Sequence, residues 1–291
     1  MLTRRNFLSS TLAGLAAAEG VGIRGLWAAE GLAWPGPIGL ELYTVREQFA
    51  KDPAGTLKQV AAVGYKEVEI GPYMSASKLN PMLRADGLTA PSGYFEPPKT
   101  VEEWKKTVAL GKTYGLHYIV VGDNPRLDIE AWKRRADLFN ECGTLSLAAG
   151  MQFCYHAHFN EFARADNTCG YDVMLTGCDP KLLKFEMDVF WAVYAGVDPV
   201  TYFERAPGRF PLLHIKDLYK DVPIDLKEGP SDKGPNPFAP VGQGKIDWHR
   251  IFAHAAQAGA KHIFVEQDRC NMPPFEAMKI SFDYLKNLRL S

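Results

Sequence analysis

Along this chain of 291 residues, amphipathic stretches repeatedly end at a glycine that is followed within a few residues by a short apolar run. The junction occurs at Gly64, Gly115, Gly150 and Gly259. A glycine at a helix end readily adopts the left-handed conformation that turns the chain back into a strand. The repeat therefore predicts alternating helices and strands, which is typical of a parallel sheet covered by helices.

The apolar runs predict eight strands. These are Ile38–Leu42, Lys66–Ile70, Leu88–Ser92, His117–Val121, Met151–His156, Leu183–Asp188, Pro211–Lys216 and His262–Glu266. Eight parallel strands with helices between them, in about 250 residues, are typical of the α/β fold called the (β/α)8 TIM barrel. No glycine-rich phosphate fingerprint follows the first strand, which disfavours a doubly wound sheet and predicts no nucleotide cofactor.

The stretch from Leu183 to Asp217 predicts which side chains meet at one rim of the barrel. Asp188 ends one predicted strand, His214 lies near the end of the next, and Asp198–Ala206 reads as a capped crossover helix between them. Parallel strands present their C-terminal ends at the same rim. The sequence therefore predicts that Asp188 and His214 lie close together.

The alternation of side chains along the strands predicts a polar barrel interior. Positions that must pack on the helices are apolar, such as Leu40, Val68 and Phe185. The opposite phase carries Glu41, Glu69, Cys154, His156, His158, Glu186, Asp188, His214, Lys216, Phe264 and Glu266. Burying so many ionisable groups is costly unless they are paired or bind a metal. A site at the C-terminal strand ends is the main interpretation, and a purely structural network of ion pairs is the alternative.

Composition excludes several kinds of partner. Lys and Arg number 33 against 34 Asp and Glu, and no basic run occurs beyond the first residues, so nucleic acid is not expected as a partner. Beyond the N-terminal region no apolar run is long enough to span a bilayer, so no stable membrane insertion is expected. The 5 cysteines include no C-x-x-C pair and are interpreted as buried thiols.

The N-terminal residues predict an export signal. Thr3–Leu8 resembles the twin-arginine motif, and a small, weakly apolar run follows it. Small residues suited to cleavage occur near Ala18 and again near Ala33. We therefore predict a signal region over residues 1–33, a barrel domain over residues 34–291, and a periplasmic location. An ordinary basic start of a cytosolic chain is the alternative.

Several short segments, in a fixed order along the barrel, resemble one known superfamily. They are Ile38–Glu47, Gly64–Glu69, Tyr155–Phe162, Asp188, His214–Asp217, Gly242–Trp248 and Val265–Glu266. In order and spacing they resemble the xylose isomerase-like TIM-barrel superfamily, the sugar phosphate isomerase/epimerase group, in its exported twin-arginine branch.

This resemblance implies a divalent metal. Ketose epimerases of the superfamily hold one through a glutamate, an aspartate, a histidine and a glutamate on strands five to eight. The last three correspond to Asp188, His214 and Glu266, and the first corresponds to His156. The implied ion is Mn2+, Zn2+, Fe2+ or Co2+. Because those epimerases use their two glutamates as a pair of bases, His156 disfavours simple two-glutamate epimerisation.

The resemblance and the strand pattern together give each inward residue an expected role. Glu266 is expected to be the principal base, with His156 or His158 handling the other proton. Lys216 is expected to stabilise the developing oxygen charge, or else to pair with Glu186 or Asp188. Expected substrate-binding residues are Glu41, Tyr43, Glu69, Glu186 and Trp191.

The functional hypothesis is a metal-dependent isomerase or epimerase that acts on a small carbohydrate, a sugar or keto-sugar, through an enediolate. The alternatives are a lyase or hydratase acting on 3-keto-glycosides and, in another class, a non-catalytic carbohydrate-binding barrel. The segment Leu218–Gly244 is interpreted either as a loop that closes over the substrate or as an unstructured insertion. The sequence predicts no oligomeric state.

Overall fold

The computed structural model describes residues 31–165, 167–231 and 233–290. Within them, eight parallel strands close a barrel in which neighbours in the sheet follow one another along the chain. The strands are β1 Ile38–Glu41, β2 Glu67–Ile70, β3 Thr89–Phe95, β4 Tyr118–Gly122, β5 Gln152–His156, β6 Leu183–Asp188, β7 Leu212–Ile215 and β8 His262–Val265. The predicted (β/α)8 barrel is confirmed.

Helices cover the outside of the barrel. They are α1 Arg46–Lys51, α2 Pro53–Val63, α3 Ala76–Ala85, α4 Val101–Tyr114, α5 Ile129–Ala148, α6 Gly170–Gly177, α7 Val189–Tyr194, α8 Pro199–Arg205, α9 Trp248–Ala253, α10 Ala255–Ala258 and α11 Pro274–Asn287. Two 3-10 turns, Leu42–Val45 and Asn160–Phe162, and two short hairpins, Arg164–Ala165 with Thr168–Cys169 and Asp217–Leu218 with Phe238–Ala239, complete the described structure. None of the described helices has the length and apolar character needed to cross a bilayer.

The third strand is longer than predicted. It was expected to end at Ser92, but Gly93, Tyr94 and Phe95 continue the pairing with β4. Glycine at position 93 allows the strand to run close to Leu116, with which any larger side chain would collide. Tyr94 and Phe95 therefore belong to the strand, three residues beyond its predicted end.

The crossover after β6 contains two helices where one was predicted. The helix over Asp198–Ala206 is present as α8, but α7 precedes it and begins directly after Asp188. The Asp188 carboxylate accepts a hydrogen bond of 2.9 Å from the backbone N–H of Trp191 and so caps α7. One oxygen of this predicted metal ligand therefore also fixes the start of a helix.

The first described residues pack against the C-terminal segment. Leu32 pairs with Arg289, and the backbone N–H of Ala33 donates to Leu288 O at 3.0 Å. The twin-arginine motif and the rest of residues 1–30 lie outside the described residues. The signal region over residues 1–33 remains a prediction.

The segment Leu218–Gly244 is anchored at both ends. Asp217 is fully buried, and its carboxylate accepts hydrogen bonds from the backbone of Gly242 at 2.9 Å and Gly244 at 3.1 Å, and from the Trp248 indole at 2.9 Å. It also accepts from the backbone N–H groups of residues 218 and 246. One carboxylate thus holds the start of the segment to its end.

Further along the segment, two contacts tie it to the barrel rim. The Tyr194 hydroxyl donates to Asp225 O at 3.2 Å and accepts from Asp225 N–H at 3.0 Å. Gly229 lies against the Phe159 ring, where a side chain would collide with it. Phe159 and Tyr194 belong to a buried apolar cluster with Phe190, Trp191, Leu218 and Phe238. Closure of the segment over a substrate remains a prediction.

We predict that Asp217→Asn lowers the free energy of unfolding by about 2–3 kcal/mol. Both carboxylate oxygens accept at least two N–H groups, so the amide nitrogen faces unpaired donors in either orientation. Urea denaturation followed by circular dichroism measures the change. The exposed Asp221→Asn is the matched control and should leave the midpoint unchanged. Equal midpoints for the two variants would contradict the anchoring role.

Candidate active site

A cavity of about 430 Å3 opens at the C-terminal ends of the strands. Its lining includes Glu41, Tyr43, Gly71, Pro72, Tyr73, Tyr94, Phe95, Glu96, His156, His158, His214, Lys216, Glu266 and Asp268. The location is that of active sites in barrels of this kind. Most of the inward-facing residues singled out from the sequence therefore meet at one cavity.

The strand register explains why they meet. Glu41 lies opposite Glu69, His156 opposite Glu186, and Asp188 opposite His214. Directly paired residues on one face of a sheet have neighbouring side chains, so each of these strand pairs places two polar side chains side by side inside the barrel.

His214 lies at the centre of these polar side chains. Its Nε2 lies 2.6 Å from Glu69 Oε2 and 3.2 Å from Glu186 Oε2, and its Nδ1 lies 2.9 Å from Glu266 Oε2. Burial alone would lower the pKa of His214, but Glu186, Glu266 and Glu69 outweigh it and raise the pKa well above its usual value. Without a bound cation this favours a ring that donates from both nitrogens, and a ring nitrogen that held a metal would have to release its hydrogen.

His156 has the opposite electrostatic environment. Its Nδ1 lies 3.0 Å from Glu186 Oε2, and its Nε2 lies 3.8 Å from Asp188 Oδ2. Burial, followed by the charge of His214, lowers the pKa of His156 well below its usual value. Burial, and then the charge of Glu69, raises the pKa of Glu186. These shifts favour the neutral ring of His156.

Lys216 is surrounded by carboxylates. Its Nζ lies 2.7 Å from Glu266 Oε2, 2.8 Å from Asp268 Oδ2 and 3.1 Å from Asp188 Oδ2. Burial opposes the charge, but these acids raise the pKa of Lys216 well above its usual value. Burial would raise the pKa of Glu266, yet Lys216 and His214 hold it well below its usual range. Of the two partners expected for Lys216, Asp188 is in contact.

His158 has a defined tautomer. Its Nδ1 lies 3.0 Å from the backbone oxygen of Asp123, and a carbonyl oxygen only accepts, so Nδ1 carries the hydrogen. Burial, and then Lys216, lower the pKa of His158, which favours the neutral ring. Nε2 is then the unprotonated nitrogen, and it has no hydrogen-bond partner in the described part of the chain. Trp191 packs behind the ring, with centroids 5.3 Å apart.

The expected substrate-binding residues fall into two sets. Glu41 and Tyr43 line the cavity, and burial followed by Glu69 and Glu266 raises the pKa of Glu41 well above its usual value. Glu69, Glu186 and Trp191 are buried beside the cavity and do not line it. The two glutamates contact the rings of His214 and His156 instead.

Sequence reasoning missed Asp268, which lines the cavity. Asp268 lies two positions after Glu266, so continuing the two-residue alternation of β8 past its end could have identified it. Tyr73 and Tyr94 were expected from the sequence as residues of loops that wall the pocket; both line the cavity, and Tyr94 does so from β3. Burial raises the pKa of Asp268 to about 6 although Lys216 opposes the shift.

The donor atoms suit a divalent cation. Three groups have mutually close donor atoms, and His214 belongs to all of them: Asp188–His214–Glu266, His156–Glu186–His214 and Glu41–Glu69–His214. The buried oxygens Glu41 Oε2 and Glu186 Oε1 accept no hydrogen bond from any described residue. The buried carboxyl groups also outnumber the cations Lys216 and His214, so an added positive ion would lower the cost of burying them.

Comparisons with known proteins agree with this architecture. The sequence profile of the family described as xylose isomerase-like TIM barrel matches residues 57–288. An inosose dehydratase from Lacticaseibacillus casei is 27% identical over 168 residues, and the match covers 54% of each protein. The chain thus spans about half the length of that relative. An inosose dehydratase from Geobacillus kaustophilus is 26% identical over 270 residues, which cover 80% of this chain and 86% of the relative.

A solved structure is similar over most of the barrel. The crystal structure of a sugar phosphate isomerase/epimerase from Parabacteroides distasonis superposes with a TM-score of 0.73 at 26% identity, covering 85% of this chain and 92% of the other. Together with the match over residues 57–288, the closed barrel of eight strands shows that the chain belongs to the xylose isomerase-like TIM barrel family.

Proposed function

We propose that the protein is a metal-dependent lyase that eliminates water or an alcohol from a keto-sugar or keto-cyclitol. The observation that carries the proposal is an asymmetry among the groups that can move protons. Glu266, the glutamate at the end of the last strand, is held ionised by Lys216 and His214. His158 Nε2 and Glu41 Oε2 have no hydrogen-bond partner among the described residues, and both side chains line the cavity. One free base and one free acid suit an elimination better than an exchange between two equivalent carboxylates.

This proposal replaces the isomerase or epimerase that the sequence favoured with the lyase that it kept as the alternative. Inosose dehydratases among the relatives support the change. The Parabacteroides distasonis structure, described as a sugar phosphate isomerase/epimerase, keeps isomerisation as the second candidate. Both reactions begin with removal of a proton next to a carbonyl group, so the two are distinguished by the product.

The metal is part of the proposal. Asp188, His214 and Glu266 would hold it, and His156 lies next to them with Nε2 3.8 Å from Asp188 Oδ2. A bound divalent cation supplies Lewis acidity, which polarises the substrate carbonyl and acidifies the neighbouring C–H group. Mixed imidazole and carboxylate donors suit Mn2+, Zn2+, Fe2+ or Co2+.

The chain's own residues would move the protons. His158 Nε2 removes the proton from the carbon next to the carbonyl, and the Asp123 carbonyl keeps accepting from Nδ1–H, which orients the ring. The electron pair of that C–H bond forms a carbon–carbon double bond while the C–O bond at the next carbon breaks. Glu41, kept neutral by burial and by its acidic neighbours, donates its proton to the departing oxygen. The products are an unsaturated ketone and water or an alcohol.

Lys216 has an electrostatic role in this scheme. Its ammonium group contacts Asp188, Glu266 and Asp268, so it offsets their repulsion and keeps Glu266 ionised. We assign it no proton transfer.

Metal content is the first test. We expect about one divalent ion per chain in the wild-type protein and less than roughly one tenth of that in the double variant Asp188→Asn/His214→Gln. Elemental analysis of the purified proteins measures it. His262→Gln is the matched control, because His262 lies at the opposite end of the barrel and pairs with Glu67 at 2.8 Å. Full occupancy in the double variant would remove the metal from the proposal.

His158→Gln tests the base. Glutamine at this position lacks a basic nitrogen, so we expect formation of the unsaturated ketone to slow by about 10²- to 10⁴-fold at unchanged metal content. Ultraviolet absorbance follows the reaction with methyl 3-keto-glucoside as substrate. His254→Gln, on the outer helices, should retain the wild-type rate. A wild-type rate in metal-loaded His158→Gln would show that another group removes the proton.

Glu41→Gln tests the acid. We expect release of methanol from methyl 3-keto-glucoside to slow by about 10²-fold. Release of 4-nitrophenolate from the corresponding aryl glycoside should change little, because that leaving group departs without a proton. Chromatography of the released alcohol and absorbance of nitrophenolate provide the two rates. Equal slowing for both leaving groups would assign Glu41 a role other than proton donation.

A further inference from the structure

Two tyrosines at the cavity mouth are not used by the proposed proton transfers. Tyr43 is 40% exposed and Tyr73 is 47% exposed, and both line the cavity that contains the catalytic candidates. Single exposed aromatic side chains are common on protein surfaces, but two that line one cavity form an apolar surface suited to a ligand ring.

The Tyr43 ring is held from one side. The Arg46 guanidinium lies 4.0 Å from the ring centroid, and Arg46 Nη1 donates to Tyr43 O at 2.8 Å. Arg46 Nη2 also donates to the backbone oxygen of Asp268 at 3.1 Å, which ties this arrangement to the segment after the neighbouring strand β8. Arg46 therefore covers one face of the ring and fixes its position before any ligand binds.

The Tyr73 ring is held by its own loop. It packs against Phe49 with centroids 6.0 Å apart, and it lies over Gly71 so closely that a side chain at that position would collide with it. A fixed aromatic ring loses little conformational entropy when a ligand stacks on it. Both tyrosines are thus arranged for binding in the absence of a ligand.

The position of these rings relative to Glu41 gives them a role. Glu41 Oε1 accepts from the backbone N–H of Tyr43 at 3.1 Å, and the side chains of Glu41, Tyr43 and Tyr73 line the same cavity. The group attached to the departing oxygen would therefore lie beside Tyr43 and Tyr73. The keto-sugar ring would lie on the side of His158. A cavity of about 430 Å3 has room for more than one sugar ring.

We propose that Tyr43 and Tyr73 form a subsite for a second ring, so that the substrate is a keto-glycoside whose leaving group carries an aromatic or sugar ring. This inference rests on the proposed elimination. A free keto-sugar or keto-cyclitol would leave both tyrosine rings without a ligand contact. A sugar ring and an aromatic ring can each stack on tyrosine, so the two sources are separated by experiment.

Calorimetric titration with unreactive probes tests the subsite. Methyl glucoside, phenyl glucoside and cellobiose carry no ketone, share the first ring and differ in the second position. We expect the wild-type protein to bind phenyl glucoside or cellobiose about 3- to 10-fold more tightly than methyl glucoside. The tighter of the two identifies the kind of ring.

Variants assign the preference to the tyrosines. Tyr73→Ala should abolish it, Tyr73→Phe should retain it because the stacking surface remains, and Gly71→Ala should weaken it by displacing the ring. Methyl glucoside should bind all of them equally.

Equal affinities for the three probes in the wild-type protein, or equal loss for all probes in Tyr73→Ala, would overturn the subsite. Ring preference without elimination would remove only the proposed reaction, whereas elimination without ring preference would remove only the subsite.

Discussion

The buried contacts of His214 are the interaction on which the polar rim of the barrel depends. Its ring stands between Glu69, Glu186 and Glu266, which come from or follow different strands of the barrel. The Lys216 ammonium group offsets the negative charges of Asp188 and Glu266 in the same cluster. Removing either His214 or Lys216 would leave several buried carboxylates facing one another, which is costly.

The same charge balance sets the chemistry. Because Glu266 is stabilised as an anion, it is a weak base, and because Glu41 is buried beside other acids, it stays neutral. His158 is turned toward the cavity by a single backbone carbonyl. These unequal environments are the basis of the different proton-transfer roles proposed for groups that the sequence alone presents as equivalent polar residues.

The sequence predicted the barrel and most of the site for a definite physical reason. Two-residue alternation decides which side chains face inward, and parallel pairing brings strand ends to one rim, so His156, Asp188 and His214 could be placed without coordinates. Roles were harder to predict because they depend on distances. The pairing of Lys216 with Glu266 is a tertiary contact that no local pattern records. The Asp188 cap and the Tyr73 ring over Gly71 are local contacts, but they depend on backbone geometry that the residue pattern did not indicate.

The central claim, elimination from a keto-sugar or keto-cyclitol, is tested most directly by the mass of the product formed in deuterium oxide. Metal-loaded wild-type protein is incubated with an inosose and, separately, with a phenyl 3-keto-glucoside, and the products are analysed by mass spectrometry. The account predicts an unsaturated product that has lost water from the first substrate and phenol from the second. A product with the mass of the substrate plus one deuterium would contradict it and indicate isomerisation or epimerisation.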